Sequence, residues 1–167
     1  EHFDKLLVEH NKRREGPIIK FDEEIVWKER SRHFDLIYNA TGLQAEPSAP
    51  VITFHEKSIQ KDSLLSKELI ISRNLLEQFR NYQLKTHQVF DVHKLAMYFA
   101  LSNLTGALHG AAVWHNLRFY YNPITSKLEP IGFDGNAGGE ISEVFGMAFR
   151  DDTLSNFYPT LFRDSIF

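Results

Sequence analysis

The chain of 167 residues contains no cysteine. This absence excludes disulfide bonds, zinc sites built on thiolates and catalysis by a cysteine nucleophile. It leaves the compartment open, because secreted proteins without disulfides are common. No apolar run approaches the roughly 18–20 residues that a membrane-spanning helix needs. The sequence therefore predicts no membrane span.

A strong charge of either sign is also missing. The formal net charge is −3, from 19 basic and 22 acidic residues. Such a balance offers no bulk attraction to nucleic acid or to an anionic membrane, so we expect no nucleic-acid partner. Aromatic residues are plentiful instead, with 14 Phe, 6 Tyr and 2 Trp. They provide enough apolar surface for the core of one globular domain.

Hydrophobic spacing predicts an alternation of helices and short strands in the first third of the chain. Apolar positions at helical spacing indicate a helix over residues 2–13, and "PIIKF" at 17–21 is typical of a strand. Asp22 is a plausible N-cap for a helix covering about 23–40. After a loop rich in Pro, Gly and Ser, "VITF" at 51–54 favours a second short strand.

The remainder is predicted to be mostly helical. Leucines at helical spacing indicate a long helix over 57–82, with a break near Asp62–Ser63. Asp91 caps another helix that ends at Gly106, and its nearly uniform apolarity predicts the central buried helix. The tail after Phe149 is expected to be helical again. The predicted fold is α+β, mostly helical, around a small antiparallel sheet.

One hairpin places polar groups together. "LRFYYNP" and "KLEPIGF" are strand-like and flank the turn residues "NPITS". A turn centred on Ile124–Thr125 requires paired residue numbers to add to about 249–250, which sets Asn116 opposite Phe133 or Asp134. Two oxygen ligands at such a distance suit Mg²⁺, and Asn136 could add a third. A plain turn formed by Asp134 and Asn136 is the alternative, and spacing alone favours it.

Two histidines offer a competing metal site. His109 and His115 are six residues apart, on either side of a tryptophan. Zinc proteases of the common helical type need two histidines four residues apart with a glutamate between them, and no carboxylate lies near this pair. A buried histidine bonded to the backbone is the commoner reason for such a residue.

Two stretches carry a resemblance to a known family. "FDVHKLAMYFALSNLTG…HNLRFYYNPITSKLEPIGFDGN" and "HFDKLLVEHNKRREGPIIKFDEE" resemble the spore coat protein H (CotH) kinase family, an atypical branch of the protein-kinase-like fold. The resemblance implies the larger lobe of a kinase-like fold, with residues 1–167 as one partial domain that lacks the N-terminal strands and is cut near its C-terminus. Family members transfer phosphate from ATP to protein serine or threonine with Mg²⁺ or Mn²⁺, and many belong to spore coats, cell envelopes or secreted proteins.

The resemblance also assigns roles to individual residues. Asn116 matches the family's metal-holding asparagine and Asp134 its metal-holding aspartate, with Asn136 beside them in the nucleotide site. The family's catalytic aspartate, five residues before the asparagine, is replaced by Ala111. No Asp or Glu occurs between Asp91 and Glu129 to substitute for it. His109 and His115 are both candidate replacement bases. His109 is alternatively a core histidine, and the pattern favours this alternative.

Three functions follow as hypotheses. The first is a CotH-like kinase domain that binds metal and ATP. The resemblance does not by itself imply that this domain transfers phosphate. The second is a non-catalytic pseudokinase or a surface or spore-coat interaction module, which Ala111 favours. The third is a metal-dependent hydrolase using His109, His115 and Asp134. Lys20 is expected to be a solvated lysine at a strand end, and the charged run Lys12–Glu15 a solvated helix end.

Overall fold

A computed structural model describes residues 3–24, 27–28, 49–138 and 157–167 of the chain. It confirms an α+β fold with a small antiparallel sheet of four strands, in the order β2-β1-β3-β4. In these described ranges, every helix is too short or too polar to cross a membrane.

The elements follow one another along the chain with short connections. The helices are α1 (Lys5–His10), α2 (Glu56–Ile59), α3 (Ser63–Arg80), α4 (Thr86–Val89), α5 (Val92–Leu104), α6 (Leu108–Ala112) and α7 (Phe157–Leu161), with a 3₁₀ turn η1 at Trp114–Asn116. The strands are β1 (Ile18–Phe21), β2 (Val51–Thr53), β3 (Arg118–Asn122) and β4 (Lys127–Ile131). Both strands predicted ahead of residue 55 and both strands of the hairpin are therefore confirmed.

Aspartate caps determine where three of the helices begin. The carboxylates of Asp4, Asp62 and Asp91 each accept hydrogen bonds from backbone N–H groups of the following turn. Such caps satisfy donors that have no partner inside the helix. The break predicted near Asp62 is confirmed, whereas α1 is shorter than the predicted helix over 2–13 because Asp4 caps it.

Two predicted helices fall partly outside the described residues. Asp22 accepts a hydrogen bond from the backbone N–H of Glu24 at 3.0 Å, as an N-cap does. Residues 25–26 and 29–48, which hold most of the helix predicted there, lie outside the description. The same applies to residues 150–156 of the predicted helical tail, of which Phe157–Leu161 is helical.

The hairpin has the predicted register. Paired residue numbers in β3 and β4 add to 249, as in Arg118 with Ile131 and Asn122 with Lys127. Asn122 helps to form the turn, since its Oδ1 accepts a hydrogen bond from the backbone N–H of Ile124 at 2.9 Å. The turn sets this register. A slip by one residue would exchange the two faces of each strand.

The prediction that α5 is the central buried helix is wrong. Leu95 and Phe99 are buried, but the side chains of Met97, Leu101 and Leu104 are 50%, 53% and 70% exposed. The main core lies elsewhere, where aromatic rings from the sheet, α3, α7 and the start of α5 meet: Phe21, Phe79, Phe90, Phe119 and Phe157. A helix that is apolar on every side does not reveal which side its neighbours cover.

The end of the described chain is held by one buried carboxylate. Asp164 is 4% exposed and accepts hydrogen bonds from the backbone N–H of His87 at 2.8 Å and of Ile166 at 3.1 Å. The His87 ring lies 2.7 Å away through Nδ1. Burial alone would raise the pKa of Asp164, but these hydrogen bonds outweigh it and hold the pKa below its ordinary value.

We predict that Asp164→Asn lowers the free energy of unfolding by about 2 kcal/mol at neutral pH. Because the pKa of Asp164 is lower in the folded than in the unfolded chain, its contribution is present above about pH 4 and is lost as the pH falls below that. Urea unfolding of both proteins from pH 7 to pH 3 measures the difference. A difference that stays constant across this range would contradict the proposed role of the charge.

Candidate metal and phosphate site

The hairpin and α6 together build the candidate site. α6 and η1 lead directly into β3, and β4 continues into the loop at residues 132–138. Asn116 is the last residue of η1, two residues before β3 begins. Continuing the observed register places it opposite Phe133, next to Asp134. The antiparallel hairpin therefore brings the two predicted metal residues to its open end.

A glycine allows α6 to approach the loop closely. A Cβ atom on Gly110 would lie 2.1 Å from the carbonyl oxygen of Phe133 and 3.2 Å from Gly135, so a side chain there would collide with backbone. Further along, the backbone N–H of Gly138 donates to the carbonyl of Thr105 at 2.9 Å. These contacts hold the loop against the end of α5 and the start of α6.

Three side chains converge at this point. Asp134 Oδ2 lies 3.1 Å from His109 Nε2 and 3.3 Å from Asn116 Nδ2. Asn116 is buried, while Asp134 and His109 are 38% and 49% exposed. The prediction that His109 is a core histidine is therefore wrong. The His109 side chain on α6 points toward Asp134 in the loop. The spacing of the two histidines in the sequence does not predict this direction.

The amide of Asn116 presents its nitrogen to the carboxylate. Nδ2 also donates to the backbone carbonyl of His109 at 3.3 Å. An amide nitrogen has no lone pair for a metal, so a cation shared with Asp134 requires the amide to turn and present Oδ1. Asp134 Oδ1 has no hydrogen bond within the residues that the structure describes. The carboxylate and amide oxygens match the hard-donor chemistry of Mg²⁺ or Mn²⁺.

The other predicted ligands do not join this group. Asn136 is exposed and has a left-handed backbone with φ 47°, and in the described part of the chain no hydrogen bond links it to Asp134 or Asn116. His115 is buried, and its ring packs on Trp114 and Trp27 with centroids 5.5 and 5.7 Å apart. Among the described residues, no group of three or more His, Cys, Asp or Glu side chains is arranged to hold a metal.

The position at which the CotH resemblance predicts a catalytic aspartate lies in the interior. Ala111 is fully buried, and its carbonyl accepts a hydrogen bond from the hydroxyl of Tyr158. A carboxylate at this position would have to be desolvated among core residues. The site therefore offers His109, on the open side of α6, as the group with proton-accepting chemistry next to Asp134.

Lys20 corrects another expectation. It is not a solvated strand-end residue, because it pairs with Ile52 and Arg118 inside the sheet and its side chain is 17% exposed. Its Nζ lies 2.8 Å from Glu23 Oε1. Burial raises the pKa of Glu23, but the hydrogen bond from Lys20 and further donors outweigh it and lower the pKa overall. Lys20 therefore lies within the sheet, on the strand next to the hairpin, and its side chain is paired with Glu23.

Sequence reasoning missed a second charged cluster, centred on Glu129. Glu129 is 5% exposed and accepts hydrogen bonds from Asn122 Nδ2 at 2.6 Å, Lys94 Nζ at 2.7 Å and Arg13 Nε at 3.0 Å. Burial acts to raise its pKa, but these three donors lower it. The sequence signal was an acidic residue between the apolar Leu128 and Pro130 of β4.

The charged run near residue 13 is solvated in part, because Lys12 and Arg14 are exposed and the 2.9 Å pair of Glu15 with Lys5 lies at the surface. The exception to the expectation is Arg13, which binds the buried Glu129, while Arg14 lies 3.7 Å from the buried Glu68. Both buried carboxylates are distant in sequence, so the run alone could not identify them.

Comparisons with protein-family models, with curated proteins and with solved structures found no match for this chain.

Proposed function

We propose that this chain is a CotH-like, kinase-related domain that transfers phosphate from ATP to serine or threonine of a protein. In this proposal Asp134 and Asn116 hold Mg²⁺ or Mn²⁺ with the ATP phosphates, and His109 accepts the proton of the acceptor hydroxyl. The observation that carries it is the convergence of these three side chains within 3.1–3.3 Å. The hairpin pattern of the sequence predicts the same two metal residues.

Asp134 and Asn116 supply the oxygen ligands in this proposal. Asp134 Oδ1 and, once the amide had turned, Asn116 Oδ1 would hold the cation, and Asp134 Oδ2 would keep its contact with His109. When bound, the divalent cation neutralises charge that develops on the transferred phosphoryl group.

The geometry also suggests how His109 acts. When its Nε2–H donates to Asp134, the neutral ring carries its free lone pair on Nδ1. Nδ1 then takes the proton of the acceptor hydroxyl as the hydroxyl oxygen attacks the γ-phosphorus, and ADP leaves. The carboxylate stabilises the resulting imidazolium, as an aspartate does for the histidine of a catalytic triad.

A non-catalytic interaction module is the alternative. The buried Ala111 favours it, because the carboxylate that kinases use to orient the acceptor is replaced by a core residue. Transfer of labelled phosphate to the chain itself or to a serine-rich peptide distinguishes the two functions. Robust, metal-dependent transfer would contradict the binding-module function.

We predict that Asp134→Asn weakens Mg²⁺-dependent ATP binding by about tenfold or more, since it removes one charge-assisted ligand. The substitution keeps the shape of the side chain. Isothermal titration with ATP, with Mg²⁺ and with EDTA in its place, measures the change. Glu24→Gln is the matched control, because Glu24 is an exposed carboxylate whose ion-pair partner is Lys28. Equal ATP affinity for wild type and Asp134→Asn would remove the proposed site.

A further inference from the structure

A cleft of about 360 Å³ opens between α1, α5 and the end of β4. Its walls are mostly apolar, from Leu7, Met97, Leu101 and Ile131, and its closed end contains Glu129 with Arg13 and Lys94. This cleft is separate from the contacts among His109, Asn116 and Asp134. The proposed phosphate transfer uses none of the residues that line this cleft.

One wall of the cleft is an open sheet edge. β4 is the last strand in the sheet order, and the outward carbonyl of Leu128 accepts from the backbone N–H of Asp91 at 3.0 Å. Since alternate residues of a strand direct their backbone groups to the same side, Pro130 C=O and Gly132 N–H also face outward. Neither group has a hydrogen-bond partner in the described residues. Such an edge can accept a further strand.

The opposite wall continues as an exposed apolar stripe. Met97, Leu101 and Leu104 follow one another at helical spacing and are half or more exposed. From Lys94 to Thr105, α5 rises by about 16 Å. A compact molecule that fills 360 Å³ is only about 9 Å across and would leave Leu104 uncovered. The length of this surface therefore favours an extended occupant.

The closed end of the cleft offers donors for one acidic group. Arg13 uses Nε for Glu129, and its terminal guanidinium nitrogens have no partner in the described part of the chain. The hydroxyl of Tyr98, which also lines the cleft, has no partner there either. Lys94 pairs with both Asp91 and Glu129, so two carboxylates balance Lys94 and Arg13, and what the cluster offers an acidic group is the unused guanidinium N–H groups of Arg13.

The cleft leads toward the candidate site. Two backbone hydrogen bonds join the α5 segment to β4 and the loop that follows it. At one end the N–H of Asp91 donates to the carbonyl of Leu128, and at the other the N–H of Gly138 donates to the carbonyl of Thr105. Gly132 at the open end of the cleft is two residues from Asp134. The distance from the Glu129 end to Asp134 corresponds to about five residues of an extended chain.

We propose that this cleft and the open edge of β4 bind an extended segment of the acceptor protein. The segment pairs with Pro130 and Gly132, lays apolar side chains on the α5 stripe, and directs an acidic side chain to Arg13. The acidic residue then lies about five positions from the acceptor hydroxyl. The identity of the segment as a substrate rests on the proposed function, whereas its docking does not.

The test measures binding of two fluorescein-labelled peptides by anisotropy, without ATP. Their sequences are Glu-Val-Gln-Leu-Gln-Ser and the reverse order, because the strand direction of the segment is open. We expect one of them to bind, and replacement of its Glu by Gln to weaken binding by about fivefold or more. Failure of both peptides to bind would overturn the proposal.

Two pairs of variants locate the binding. Gly132→Pro removes the outward N–H and should weaken binding about tenfold, whereas Gly132→Ala, whose Cβ meets nothing within 4 Å, should leave it unchanged. Leu101→Gln should weaken binding, but the matched change at the exposed Ile124 of the hairpin turn should not. Circular dichroism verifies that each variant is folded. Affinity that is insensitive to both Gly132→Pro and Leu101→Gln would contradict docking here.

The outcomes separate docking from catalysis. Site-specific peptide binding without any phosphate transfer would reject the proposed function and retain the docking surface. Phosphate transfer to peptides at a rate that neither Gly132→Pro nor Leu101→Gln changes would retain the proposed function and reject the docking surface. Laurate, an amphipathic carboxylate, is the comparison probe. Binding of laurate in the cleft with no peptide binding would assign the cleft to a small molecule and overturn the proposal.

Discussion

His109→Ala should lower the rate of phosphate transfer by about 10²–10⁴-fold, the usual contribution of a general base. Mg²⁺-dependent ATP binding should change little, because Asp134 Oδ1 and the Asn116 amide remain. The large effect is expected because the chain has no acidic residue between Asp91 and Glu129 to take over. A single-turnover assay with labelled ATP and a serine-containing peptide measures the rate.

A matched histidine variant tests whether this loss is specific to His109. His93→Ala is the control, since His93 is an exposed histidine on α5, and its transfer rate should equal that of the wild type. A His109→Ala variant that retains the wild-type rate would show that His109 is not the base.

Glu129→Gln should lower the free energy of unfolding by about 2–3 kcal/mol, the largest stability effect expected from one substitution here. Glu129 is buried and accepts hydrogen bonds from Asn122, Lys94 and Arg13. Glutamine has no charge to pair with Lys94 and Arg13. Its amide N–H groups would face the N–H donors of these residues and could not accept from them. Lys94 and Arg13 are about a third exposed, so water offsets part of the loss.

Urea unfolding of Glu129→Gln at neutral pH gives the comparison. Glu9→Gln is the matched control, because Glu9 lies 3.6 Å from Lys5 one turn away on α1 and both side chains are about half exposed. We expect the control to change stability by about 0.5 kcal/mol or less. Equal effects of the two substitutions would contradict the special role of the buried carboxylate.

The local elements of this fold follow from local chemistry. The caps at Asp62 and Asp91 and the hairpin turn depend on residues within a few positions of one another. The register of the hairpin is likewise a consequence of its turn, and it placed Asn116 beside Asp134 without any further information. Predictions of this kind succeeded because the interactions are short in sequence.

The predictions that failed depended on partners far away in sequence. His109 and Ala111 are two residues apart, yet the first faces Asp134 and the second faces Tyr158. α5 is apolar on every side, and only the packing of the other elements shows which side remains open. Arg13 and Glu129 are separated by 116 positions and still form one cluster.

The amino-acid sequence by itself determined the α+β class, the hairpin and the pairing of Asn116 with Asp134, because turns and caps act over a few residues. The tertiary structure alone decided that His109 joins them, that Ala111 is buried, and that no further strand of the described residues pairs with the edge of β4 beside α5. These outcomes depend on how closely whole elements approach, as where Gly110 meets the backbone of Phe133, and no local pattern encodes that distance.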